Sequence, residues 1–131
     1  MVSVSYTHLL RLSQPGDEEE LKDLWHTVFG DDRRYIDRFF EHAYTPGTAL
    51  VMEADGIIAS MVFLLPIGKL VTPENPGGLP CTVSYAFATR ENFRRHGFGK
   101  AIANEAVKQS EEAGNPVNTI CPAEDSLFRC V

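Results

Sequence analysis

The spacing of apolar residues changes several times along the chain, and each change marks an element. THLLRLSQ (7–14) reads as a first strand, ended by Pro15-Gly16. In DEEELKDLWHTVFG, Leu21, Leu24, Trp25 and Val28 then form one helical stripe. Asp17 stands where it can cap that helix, Glu20 occupies the reciprocal capping-box position, and Gly30 suits the C-terminal end. The acidic run from Asp17 to Glu20 therefore needs no ligand, because carboxylates favour the positive end of a helix. DDRRYIDRFFEHAY follows with Tyr35, Ile36, Phe39, Phe40 and Ala43 at helical spacing, and Thr45-Pro46-Gly47 stops it. Its aromatic residues read as core.

From residue 48 the period changes. TALVMEADGIIASMVFLLP carries an Asp-Gly turn between two apolar, β-branched runs, which predicts a hairpin. PIGKLVTPENPGGLP (66–80) combines a short extended piece with a Pro/Gly-rich segment and is expected to be a loop. CTVSYAFAT (81–89) is continuously apolar enough to suit a central strand buried on both faces. A helix is expected over about 97–113, ended by Gly114-Asn115-Pro116; VNTIC (117–121) is a short strand, and PAEDSLFRCV starts a further helix. The order β-α-α-β-β-β-α-β-α describes an α/β fold with a mixed sheet: antiparallel strands first, then one strand–helix–strand unit forming a parallel crossover. Residues 1–131 are expected to form one domain.

Composition narrows the function more than the fold. A net charge of −6 argues against general nucleic-acid binding, which needs a broad basic footprint. Cys81, Cys121 and Cys130 form no C-x-x-C pair and read as free thiols in a reducing cytoplasm. The apolar run IIASMVFLLPIG is too short for a membrane span and contains a proline, and no signal peptide is evident, so a cytoplasmic protein without a membrane partner is expected. His26 and His42 show no metal-ligand spacing, and no metal is expected.

Against this acidic background, ENFRRHGFGKAIANEA (91–106) gathers Arg94, Arg95, His96 and Lys100 around Gly97 and Gly99. A strand precedes this cluster and a helix follows it. Free N–H groups and the dipole at a helix N-terminus attract anions, and glycines let a phosphate approach the backbone closely. A diphosphate is the expected anion. A Walker A loop is excluded because Ala101 follows Gly99-Lys100, and the dinucleotide fingerprint is broken by Ile102.

Arg94-x-x-Gly97-x-Gly99 after an apolar strand resembles the R/Q-x-x-G-x-G/A motif of the GNAT superfamily of acetyl-CoA-dependent N-acyltransferases. The resemblance is residue-specific over about 85–114, and the element order of nearly the whole chain is similar. It implies that the pantetheine arm of acetyl-CoA pairs with the strand backbone at Phe87, Ala88 and Thr89. It further implies that the diphosphate lies on amides from Arg95 through His96, Gly97, Phe98 and Gly99 to Lys100, with Arg94 and Arg95 adding charge. An acceptor amine would attack the thioester directly, and an amide near Phe87 would polarise its carbonyl. The substrate pocket would lie between the helices at 17–44 and the segment 66–80.

The family often protonates the departing thiolate with a tyrosine beyond the fifth strand, and no tyrosine follows Tyr85 here. The catalytic acid and base are therefore unassigned, with Tyr85 and Glu53 as conceivable stand-ins that read better as packing or surface residues. The same departure leads to the expectation that the domain is C-terminally incomplete and that its fifth strand leaves an edge open to a second chain or to a homo-oligomer. Alternative functions are a non-catalytic CoA-binding sensor or interaction domain, part of a larger two-domain acyltransferase, or a phosphate-binding domain unrelated to CoA.

Overall fold

The computed structural model describes residues 8–114 together with the backbone of 117–120. In chain order the elements are β1 (His8–Leu12), α1 (Glu18–Phe29), α2 (Arg33–His42), β2 (Ala49–Ala54), β3 (Ile57–Thr72), β4 (Asn75–Thr89), α3 (Phe98–Glu112) and β5 (Val117–Ile120). The helix expected after residue 121 lies outside the described residues. The sheet runs β1-β2-β3-β4-β5, so every strand lies beside its neighbour in sequence. The first three pairings are antiparallel, whereas β5 is parallel to β4. Parallel neighbours need a long crossover, and α3 supplies it.

Alternation along β2 builds two cores from one strand. Ala49 and Val51 face α1 and α2, while Leu50, Met52 and Ala54 face α3. On the first face, Leu21, Leu24 and Trp25 of α1 and Ile36 and Phe40 of α2 cover Met61 and Phe63 of β3. Trp25 is the hub, with ring centroids 4.8 Å from Phe39, 5.4 Å from Phe63 and 5.7 Å from Tyr85. Its indole N–H donates to Asp31 at 2.8 Å, so this buried side chain keeps its one polar atom satisfied. On the second face, Phe98, Ile102 and Ala106 of α3 pack against Leu50, Ala59 and Val62.

Asp55 and Gly56 both take positive φ (52° and 82°), the left-handed pair that a two-residue hairpin turn between β2 and β3 requires. Gly30 ends α1 with φ 69°, as expected. The N-terminus of α1 departs from expectation, because no capping box forms. Asp17 makes no side-chain cap to the helix. Arg11 instead donates to both its oxygens (2.8 and 3.2 Å), and the Gln14 N–H donates at 2.8 Å. A guanidinium and a nearer amide outcompete the helix for the same lone pairs. Glu20 accepts from the Ile58 N–H, tying α1 to the start of β3. At α2 the cap does form: Asp32 accepts from Arg34 N at 2.8 Å.

The segment 66–80 is a second correction. It is not a loop but the distal arm of a β3–β4 hairpin, paired from Pro66↔Thr82 out to Thr72↔Asn75. Among the described residues β5 pairs only from Cys81 onward, so there the arm has strand partners on one side alone, where prolines are tolerated. Gly78 is left-handed at φ 85°, and a Cβ on it would stand 2.7 Å from Lys69 Cβ, so glycine there serves both the backbone and the close approach across the arm.

Candidate functional site

The site begins with an extra residue in β4. Met61 pairs Ala88 and Phe63 pairs Tyr85, so two steps on β3 oppose three on β4. The surplus is taken up at Ala86, whose φ of 53° is left-handed. For a residue with a Cβ, that conformation costs roughly 1–2 kcal/mol. Such strain persists only where packing holds it, and Ala86 is buried against the α1–α2 core. The β4–β5 register runs from Cys81↔Val117 to Ser84↔Ile120 and ends one residue before Tyr85. Residues 85–89 therefore lie past the β5 pairing of the described residues. The Ser60 hydroxyl donates to the Ala88 carbonyl (3.0 Å) and shares a hydrogen bond with Thr89 Oγ1 (2.8 Å), which fixes this end of the strand from the β3 side.

Beyond Thr89, one 3-10 turn (Glu91–Phe93) leads into the basic loop. Arg94 is extended, with φ −68° and ψ 157°. Arg95 and Gly97 are left-handed at φ 68° and 78°. Gly97 is the N-cap of α3 and provides no side chain to its first-turn amides. The ring of Phe98 is buried against Phe93 and lies 5.9 Å from His96, anchoring the loop to the α3-side core. A Cβ added to Gly99 would meet Phe87 at 3.7 Å and Thr89 Oγ1 at 4.0 Å, so the first turn of α3 rests directly on the end of β4.

Phe87, Ala88 and Thr89 are thus contiguous with the loop from Arg94 to Lys100, and the structure brings the ten sequence-derived residues into one place. Their roles are not alike. Arg94 donates from Nε to the Thr89 carbonyl at 3.1 Å, closing the turn, so its guanidinium is engaged with the backbone. The side chains of Arg95 and Lys100 are exposed and pair with no carboxylate among the described residues. Ala88 is buried in the α1–α2 core, and so only its backbone is available to a ligand.

The two stand-ins for proton transfer have structural attachments. Glu53 accepts from Arg11 Nε at 3.0 Å. It stands on β2, two strands from β4, or about 10 Å across the sheet. The Tyr85 ring stacks on Phe39, and its hydroxyl lies 2.6 Å from that of Tyr35. Tyr35 and the bulge at Ala86 are the parts of this region that sequence reasoning missed. Tyr35 looked like one aromatic among several, and an alanine gives no signal for left-handed backbone. Among the remaining candidates, His26 donates from Nδ1 to the Asp31 carbonyl (2.9 Å), and Cys81 is a free thiol, whereas Cys121 and Cys130 lie outside the described residues. No helix of the described residues is long and apolar enough to cross a membrane.

Burial alone would raise the Asp17 carboxyl, but hydrogen bonds from Arg11 and the Gln14 N–H outweigh it and hold the group below the usual carboxylate range. This ion pair pins β1 to the start of α1. It therefore belongs to the scaffold rather than to the loop.

The chain belongs to the GNAT acetyltransferase family: the family model described as the acetyltransferase (GNAT) domain matches residues 10–130. No curated protein matches the sequence. Among solved structures, an aminoglycoside N-acetyltransferase in complex with CoA superposes with a TM-score of 0.73 at 11% identity, covering 99% of this chain and 86% of that one. A predicted acetyltransferase from Clostridium acetobutylicum with acetyl-CoA gives 0.73 at 16% identity, covering 95% and 85%. A conserved protein of unknown function from Enterococcus faecalis V583, described as a probable N-acyltransferase, gives 0.77 at 15% identity and covers 96% of this chain, which spans only 32% of that protein. At these identities the superpositions establish a shared fold, here the mixed sheet with its flanking helices.

Proposed function

We propose that this chain transfers the acetyl group of acetyl-CoA to a primary amine of a small molecule or a protein, by direct attack. The observation that carries the reading is the contact between the bulged end of β4 and the first turn of α3, seen where Gly99 meets Phe87 and Thr89. An extended ligand beside residues 87–89 can hydrogen-bond to the strand edge while its diphosphate reaches the amides of residues 95–100. Family membership, and the CoA and acetyl-CoA named with two of the solved structures, point to the same ligand.

In this mechanism the backbone does most of the binding. The amides of Arg95, His96, Gly97, Phe98, Gly99 and Lys100 hold the diphosphate, and the exposed Arg95 and Lys100 side chains add charge. Arg94 orders the loop through the Thr89 carbonyl. The amide near Phe87 polarises the thioester carbonyl as the amine nitrogen bonds to its carbon. The carbon–sulfur bond then breaks, the ammonium loses a proton, and the thiolate leaves as the thiol.

A second reading is one part of a larger acyltransferase. It is favoured by the Enterococcus faecalis protein, of which this chain spans about a third. Thiol release from acetyl-CoA in the presence of an amine panel separates the two. Amine-dependent release by the 131-residue chain supports autonomous transfer. Acetyl-CoA binding without release supports the second reading.

A further inference from the structure

We propose that the acceptor amine carries an anionic group, a carboxylate or a phosphate, held by Arg34 and Arg38 of α2 beside the paired hydroxyls of Tyr35 and Tyr85. This deepens the acetyl-transfer reading and rests on it. Arg34 and Arg38 are four residues apart and so share one face of α2. With Tyr35 and Asp32 they line an open, shallow depression on the outer face of α2.

The charge pattern is what makes the pair informative. The chain is acidic overall, and nearby cations on both helices are matched to carboxylates: Lys22 to Asp37 at 3.2 Å and Arg33 to Asp23 at 3.0 Å. The Arg34 and Arg38 guanidinium groups are exposed and pair with no carboxylate among the described residues. The one acid in the concavity, Asp32, is occupied as the helix cap, accepting the Arg34 N–H at 2.8 Å. Guanidinium groups suit planar, bidentate contacts with carboxylate or phosphate oxygens.

Tyr35 links this face of α2 to β4. The Tyr35 hydroxyl lies 2.6 Å from that of Tyr85, and Tyr85 immediately precedes the left-handed Ala86 in β4. An acceptor whose anion rests on α2 would be oriented along this tyrosine pair toward the bulged strand.

Trp25, the chain's single tryptophan, reports on the site because its ring lies 6.2 Å from Tyr35 and 5.7 Å from Tyr85. CoA-saturated protein is titrated with matched amines, O-phosphoethanolamine against ethanolamine and glycine against methylamine, while its fluorescence is followed. The expected result is a saturable change with at least tenfold tighter binding for the anionic member of one or both pairs, and the responding pair identifies phosphate or carboxylate. The preference is lost in the double variant Arg34→Gln/Arg38→Gln, whose thermal shift with acetyl-CoA stays that of the wild type. Equal responses within both pairs, no saturable response, or a preference that survives the double variant overturns the proposal. If acetyl-CoA itself produces no thermal shift in the wild type, the acetyl-transfer reading fails. Titration of the free protein then still shows whether α2 binds anions.

Discussion

Arg94 reaches back across its own turn to donate from Nε to the carbonyl oxygen of Thr89 at 3.1 Å, joining the start of the basic loop to the last residue of β4. In a motif rich in positive charge, this arginine works as a brace. Removing it should loosen the spacing between the strand edge and the loop amides rather than merely subtract a charge. Arg94→Ala is expected to weaken acetyl-CoA binding about tenfold, or ~1.4 kcal/mol. Isothermal titration at low and high salt checks the cause. A brace predicts a loss that persists at high salt, whereas a pure charge effect shrinks with screening.

The left-handed Ala86 predicts an unusual order of side-chain tolerance in a strand. Ala86→Gly relieves the Cβ strain and should leave stability unchanged or raise it by up to about 1 kcal/mol. Ala86→Val, normally favourable in a strand, should destabilise by about 2 kcal/mol or more, because a β-branched residue is forced to positive φ in a buried position. Urea unfolding of both variants tests the order. Valine matching alanine in stability would show that the bulge is not held.

Asp17 is expected to make stability depend on pH in acid. Arg11 and the Gln14 N–H hold its folded carboxyl below the usual carboxylate range, so its contribution is present above the unfolded value and is lost as pH falls through the lower folded one. Asp17→Asn should lower stability by about 2 kcal/mol at pH 7, in the range of a hydrogen bond to a charged group. It should also flatten the decline of stability below about pH 4, the carboxylate range. Denaturant midpoints of both proteins between neutral and acid pH measure the difference.

Trp25 packs on Phe39, Phe63 and Tyr85 and donates to Asp31. Trp25→Ala should cost about 3–5 kcal/mol. Trp25→Phe keeps much of the apolar contact while losing the hydrogen bond, and should cost less than the alanine variant. Thermal unfolding of the two variants ranks them.

Much of this architecture is legible in the sequence, and the misses have physical causes. The stripes of Leu21, Leu24 and Trp25 and of Ile36 and Phe40 mark the two helices because each buries a single face. The Asp55-Gly56 turn marks the hairpin through its need for left-handed backbone. The loop stood out because Gly97 and Gly99 sit among cations directly before a helix. Local signals failed where tertiary contacts decided the outcome. Asp17 has the sequence position of a cap, but Arg11 of β1 captures its carboxylate. Pro76, Gly77, Gly78 and Pro80 look like a loop, yet an arm paired on one side alone among the described residues tolerates them as strand. Tyr35 could not be linked to Tyr85, fifty residues away, before the fold brought their hydroxyls together.

A thermal-shift comparison of wild type and Gly99→Glu with acetyl-CoA, CoA and pyrophosphate tests the loop most directly. Gly99 does not require positive φ, and a Cβ there meets its neighbours at ordinary contact distance, so the variant should fold while placing a carboxylate where the diphosphate would lie. At about a hundred times its dissociation constant, acetyl-CoA should stabilise the wild type by ~2.7 kcal/mol. For a domain of this size that is a rise in Tm of about 10 °C. The expected result is this rise with acetyl-CoA and CoA, a smaller one with pyrophosphate, and none in Gly99→Glu. A folded wild type with no shift, or a variant that shifts as much as the wild type, would contradict it.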